Sequence, residues 1–461
     1  MASSRKSPKS STLLARVTAV LGQHVKRGDR LVAGLSGGVD SVVMLDSLWR
    51  LAKKRGIELA ALHVNHQISP AAGRWAAFCR RLCRGHGIPL TVVRVTVPHG
   101  DSLEAAARAA RYRAFAALPA DFVALAHNLD DQAETVFLQL LRGSGVKGAS
   151  AMPVMREERG DRREAKMRLT PHASHLTLSI LRPLLEIPRS EIEAYARRRE
   201  LAWVEDASNA ETDFDRNFLR HRVLPVIEQR YPSYRKTLLR ASRNFAEAAQ
   251  LLDELAVADA RFTAQGLEID AMQRLSATRI KNVLRCFMAM HEVTMPNAAR
   301  LNECARQVLQ ARRGGRMVID LGSHELRRYA RELRIVAKSG TPARDFARRW
   351  RGENRLCLPE LGGTLILKKC RGDGISLAKL TAQPVTVRLR QGGERFRPHL
   401  RRPRPSLKNL LQEAHVPPWQ RDRLPLLFGG AALVFVPGIG IDSAFRAAAG
   451  EPGVNPLWEA D

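Results

Sequence analysis

The chain has 461 residues, 45% of them hydrophobic, which fits a soluble globular protein of about two to four domains. Its 75 Lys and Arg against 46 Asp and Glu leave a formal net charge of +29, which points to a polyanionic partner, nucleic acid first, with a merely solvated basic surface as the blander reading. No apolar run reaches the length of a membrane span, no secretory core is present, and the six cysteines form no CxxC pair. A membrane anchor, a zinc ribbon and a disulfide framework are therefore not expected, and the chain reads as cytoplasmic. Aromatic residues make up only 5%, which suits a structured RNA held through its backbone better than a long stacked single strand.

In chain order, hydrophobic spacing predicts strands at Leu31–Leu35, Leu59–Val64, Leu90–Val97, Phe122–Ala126 and Ser179–Leu181. Helical spacing separates them at Val42–Lys54, Arg74–His86, Leu103–Leu118 and Asp130–Arg142. Such alternation predicts an α/β fold with a parallel sheet covered on both faces, its ligand site beyond the carboxyl ends of the strands. Met155–Ala173 is highly charged and reads as an exposed loop. Thr212–Arg312 is mostly helical in spacing, Gly315–Val336 and Leu356–Lys368 read as short strands, and a small basic module follows from about Ile375. Between Arg388 and Lys408 stand eight Lys or Arg and one acid, Glu394. The apolar residues, Trp419 and the Gly438–Gly440 turn that follow argue for a folded module rather than a charged tail.

Ser36-Gly37-Gly38-Val39-Asp40-Ser41 lies between the first strand and the first helix after it. Strand, Gly-rich turn and helix make an anion cradle, because backbone N–H groups, hydroxyls and the helix dipole converge there. No Lys follows the second glycine, so this is not the GxxxxGK[ST] loop. After the second strand comes His63-Val64-Asn65-His66, where the histidines are either structural or within reach of a nucleotide. Glu104, Arg108 and Arg111 share one helical face, as a bland surface pair would also do. Asp131 and Glu134 project from one face of the helix after the fourth strand, as dipole-compensating acids or as metal and substrate ligands.

Ser36–Ser41 resembles the SGGxDS loop of the ATP pyrophosphatases. With His63–His66, Leu129–Thr135, Leu140–Gly148, Arg182–Leu185, Glu205–Asn209, Asp215–Arg220, Lys408–Glu413 and Val416–Trp419, the chain resembles the tRNA(Ile)-lysidine synthetase family over most of its length. It departs at Gln67-Ile68, where many members have Gly-Leu, and in the long basic stretch Met155–Ala173. The resemblance implies an ATP-pyrophosphatase catalytic domain at 1–210, of the adenine nucleotide alpha hydrolase type. A mainly helical substrate-binding domain at 211–375 and a small α+β, tRNA-binding domain at 376–461 would follow. It implies ATP and L-lysine as substrates, Mg²⁺, a CAU-anticodon tRNA(Ile) as partner, and allows a homodimer. The implied reaction adenylates the C2 carbonyl oxygen of the wobble cytidine, and the lysine amine then attacks C2 with loss of AMP; a tRNA thiolase of the same group is the alternative. Residues 36 to 41, with His63, would bind ATP, and Asp40 and Asp131 would hold the metal. Arg108 and Arg216 would stabilise charge on the α-phosphate, while Asp131 and Glu134 would bind and deprotonate the lysine amine, in an order left open.

Overall fold

The computed structural model describes residues 12–67, 69–96, 103–159, 177–205, 215–263, 266–310, 317–338, 340, 342–343, 345–398 and 404–460. They form two compact units, Met1–Glu254 and Leu255–Asp461.

In the first unit, α1 (Leu13–His24) precedes β1 (Arg30–Gly34), α2 (Val39–Arg55), β2 (Glu58–Asn65), α3 (Ala72–His86), β3 (Leu90–Arg94), α4 (Leu103–Ala116), β4 (Phe122–Ala124) and α5 (Leu129–Leu141). Strands β5 (Met155–Arg159) and β6 (Thr177–Leu181) complete a sheet ordered β3-β2-β1-β4-β6-β5. All pairings are parallel except β5 with β6, which run antiparallel with Arg156 opposite Ile180. This corrects the expected loop at Met155–Ala173: residues 155–159 are an edge strand, and 160–173 lie outside the described residues. Alternation in β1 sends Leu31 and Ala33 into one core with Val17 and Leu21 of α1, Val42 and Leu45 of α2 and Ile192 of the helix Arg189–Arg198. Val32 faces the opposite layer with Leu62, Val123, Ile180 and Phe115 of α4. Both faces of the parallel strands are thus dry, which is why they read as nearly continuous apolar runs. The chain leaves β1 toward β2 and β3 and returns on its other side at β4, so a crevice opens at the carboxyl end of β1.

Residues 215–254, expected within the helical domain, belong to the first unit. Leu224 and Tyr234 pack in one buried cluster with Ala133 of α5. The second unit begins with helices Ala277–Met290 and Ala298–Gln310 against a four-stranded antiparallel sheet. Two further sheets follow. Gly363–Arg371 pairs along its whole length with Pro452–Ala460, and Ala347–Arg349 pairs with Val385–Arg388. Residues 347–371 therefore build the same sheets as the basic C-terminal module, whose start was expected near 376. No helix among the described residues is long and apolar enough to cross a membrane.

Candidate active site

The turn after β1 is shaped before any ligand arrives. Gly37 sits at φ +97°, and a Cβ there would come within 2.9 Å of Val204 Cγ2. Its carbonyl accepts a 3.0 Å hydrogen bond from Val204 N, so side-chain size and backbone conformation both demand glycine. Ser41 Oγ accepts from Gly37 N at 3.1 Å, donates to Gly38 O at 2.9 Å and lies 3.0 Å from Ser36 Oγ. Gly38 is the N-cap of the 17-residue α2 and makes no side-chain cap. The first N–H groups of a helix have no partner within it, so the positive end of α2 opens onto the crevice.

His63 stands behind this turn. Its ring is 4% exposed and Nδ1 lies 2.8 Å from Leu35 O. Burial pushes its pKa down, so the neutral ring donates to that carbonyl and braces the end of β1. Cys79 Sγ lies 3.6 Å from the same nitrogen. The geometry makes His63 a support for the cradle rather than one of its exposed donors.

Asn128 ties the cradle to α5. Its Nδ2 donates to Asp40 Oδ1 at 3.0 Å, and its Oδ1 accepts from Asp131 N at 3.0 Å. Asp131 Oδ2 returns a bond by accepting from Asn128 N at 3.0 Å, which completes a reciprocal cap. Asp40 and Asp131 are thereby held on either side of one amide. Burial raises the Asp40 pKa and the Asp131 charge adds to it, against Arg189, the Asn128 hydrogen bond and Arg220.

Glu134 is 1% exposed and fully engaged. Its Oε1 accepts from Arg220 Nε at 2.7 Å, and its Oε2 accepts from Arg216 Nε at 3.0 Å and Arg220 Nη2 at 2.9 Å. Arg216 Nη2 also donates to Thr135 Oγ1 at 2.8 Å, and Arg220 Nη2 to Asp131 Oδ1 at 3.2 Å. Arg216 comes from the short helix Asp215–Phe218, and Arg220 from the π-helix Leu219–Val223 that continues it. Arg108 is exposed on α4, lies 4.9 Å over the Tyr112 ring and donates to its hydroxyl at 3.0 Å. The side chain of Glu104 and residues 206–209 lie outside the described residues.

Residues 10–227 match the family model of the PP-loop domain, 267–334 that of the TilS substrate binding domain, and 385–458 that of the TilS substrate C-terminal domain. The chain is 44% identical over 441 residues to a tRNA(Ile)-lysidine synthase of Nitrosomonas europaea, covering 94% of this chain and 93% of that one. The chain belongs to the tRNA(Ile)-lysidine synthase family. It is also similar to the synthases of Azoarcus sp., at 40% identity over 93% of this chain and 91% of that one, and Coxiella burnetii, at 38% over 91% of each.

The sequence reading placed four further residues in its motifs without giving them a role. Asn128 links Asp40 to Asp131, Arg220 shares Glu134 with Arg216, and His127 and Arg182 stand at the ends of the neighbouring strands. Burial drives the His127 pKa down to about 4, with Arg182, Arg216 and Arg108 adding to the effect and Asp131 opposing it. An Asn three residues before an Asp at a helix start is a capping signal, so Asn128 was legible in principle.

Proposed function

We propose that the chain ligates L-lysine to C2 of the wobble cytidine of a CAU-anticodon tRNA(Ile), through an adenylated RNA, with release of pyrophosphate and AMP. The observation that carries this reading is the uncapped start of α2 set against the Asp40–Asn128–Asp131 bridge. The helix terminus and the Ser36–Ser41 amides take the pyrophosphate end of ATP. Asp40, with Asp131 beside it, fits Mg²⁺, which takes one or two carboxylates and completes its shell with phosphate oxygens and water. When bound, that ion screens the negative charge of the triphosphate.

Cytosine O2 is a poor leaving group until it carries the adenylyl group. Arg108 and the exposed edge of Arg216 face the charge that develops on the α-phosphate during this step. Lysine then arrives as an ammonium, because its amine has a solution pKa of about 10.4. Of the two candidate acids, Asp131 is the one suited to receive it, since its side chain is 19% exposed while that of Glu134 is 1%. Glu134 then serves by fixing Arg216 and Arg220. Its expected share in amine binding passes to Asp131 in this reading. The wobble base enters the crevice unstacked, as enzymes acting on a base require. A thiolase would want a reactive sulfur beside the loop; burial instead pushes the thiols of Cys79 and Cys83 up to about 12 and about 11. We place the enzyme in the cytoplasm, where tRNA, ATP and free lysine meet.

Incubation with ATP, radiolabelled lysine and CAU-anticodon tRNA(Ile) should transfer label to that RNA and not to tRNA(Met). No transfer to either RNA would refute the assignment.

The C-terminal basic module supplies the RNA grip. Asp442 is fully buried and accepts from Arg397 N at 3.0 Å and Arg404 Nη2 at 3.2 Å, so it pins both flanks of the basic stretch. Arg401 and Arg402 lie between those flanks, outside the described residues. Charge reversal of both should weaken tRNA binding and reduce its salt slope by about 2 while leaving ATP affinity unchanged. Filter binding across a salt series checks this, and an unaltered slope would remove these arginines from the interface.

A further inference from the structure

Arg182 is the largest fully buried side chain among the described residues, 2% exposed at the end of β6. Its Nη1 donates to Pro153 O at 2.8 Å, while its Nε is buried with no hydrogen-bond partner. Among the described residues, no carboxylate balances it. The groups that act on its charge are the Tyr112 phenol and two more guanidiniums, Arg108 and Arg156. The Tyr112 side chain hydrogen-bonds Arg182 and also accepts from Arg108. His127, at the end of the adjacent β4, feels Arg182, Arg216 and Arg108 together, and its Nδ1 is also buried without a partner.

A buried guanidinium with no counter-charge is costly, and a fold keeps one where something else supplies the anion. The position narrows what that anion is. Strand β6 lies two strands from β1, so Arg182 stands roughly 10 Å to the side of the cradle. That sets it apart from the Ser36–Ser41 turn, though β6 ends at the same carboxyl edge of the sheet. The planar fork of arginine suits phosphate oxygens.

We propose that Arg182, with Arg108 alongside, forms a second phosphate subsite, which takes a phosphoryl group other than the pair gripped by the Ser36–Ser41 cradle. This rests on the ATP-dependent, RNA-modifying reading above. Its ligand is either the α-phosphate of ATP or a phosphodiester flanking the extruded nucleotide, and the two share the same recognition chemistry.

The test uses the full chain with Arg182→Met, which keeps bulk and loses charge, and Arg182→Lys, which keeps charge and loses the fork. Affinities are measured for pyrophosphate, ATP and an anticodon stem–loop RNA, together with the melting temperature. The expected result is an unchanged or raised melting temperature for Arg182→Met, unchanged pyrophosphate affinity, and a loss of about tenfold for ATP or for the RNA. Arg182→Lys should recover only part of that loss. A loss confined to ATP assigns the α-phosphate, and a loss confined to the RNA assigns the phosphodiester. If both affinities hold, or if stability and pyrophosphate affinity fall together in both variants, Arg182 is a structural residue and the subsite is overturned. Lysine transfer by the wild-type protein is measured separately, so failure of the subsite is distinguishable from failure of the assigned reaction.

Discussion

Exchanging Glu134 for glutamine should destabilise the first unit by about 3 kcal/mol, although the side chain keeps its shape. The carboxylate is 1% exposed and receives Arg216 once and Arg220 twice. Glutamine retains one acceptor oxygen but turns an amide toward a guanidinium and removes the charge that both arginines share. The guanidiniums are 30% and 25% exposed, so water recovers part of the loss, and the lower end of the range for breaking a buried pair applies. Urea denaturation measures the change, and a midpoint equal to wild type would show that the pair is dispensable. Adenylation should fall by at least about tenfold, because Arg216 loses the contact that aims it. Asp131→Asn separates the two roles: it keeps the cap and most of the stability but loses the charge that receives the lysine ammonium. Its effect should therefore appear in the dependence on lysine and on Mg²⁺ rather than in the melt.

Replacing Gly37 by alanine should cost more than tenfold in ATP affinity and lower the melting temperature, with tRNA affinity preserved. The backbone at φ +97° disfavours any L side chain by about 1–2 kcal/mol. The new Cβ would also press on Val204 Cγ2 at 2.9 Å and touch Cys79 Sγ at 3.4 Å, both on elements packed behind the turn. Relief requires the turn to move toward the crevice, which displaces the amides that meet phosphate. Gly38→Ala is the informative control. At φ −71° its Cβ would meet only Ser36 Oγ, at 3.6 Å, so the fold tolerates it. Calorimetric titration of ATP beside thermal melts distinguishes the pair, and equal melting temperatures for both variants would contradict the packing argument.

Much of the first unit was legible before its structure. Strands β1 to β4 and the helices between them fall where apolar spacing placed them, within a few residues at the ends. Helix α1 was not read, since Arg16 interrupts its apolar run; yet Arg16 is used there, pairing with Glu191 at 3.1 Å. Residues 155–159 were read as loop because the stretch is charged, and Arg156 and Glu157 are exposed on an edge strand. Charge alone does not separate an exposed edge from a loop.

The site divides along the same line. Sequence by itself determined the phosphate cradle, because strand, Gly-Gly turn and helix start lie within a dozen residues, and their geometry follows from local backbone rules. It also determined that Asp131 and Glu134 share a helix face. Tertiary structure alone decided what those acids touch. Glu134 meets Arg216 and Arg220 across 82 and 86 residues, and Asn128 reaches Asp40 across 88. His63 is buried against the carbonyl of Leu35, and Arg182 is a buried charge. Burial and charge pairing are properties of long-range packing. Helical spacing sets which way a side chain leaves its own helix; what it meets there depends on segments folded in from elsewhere.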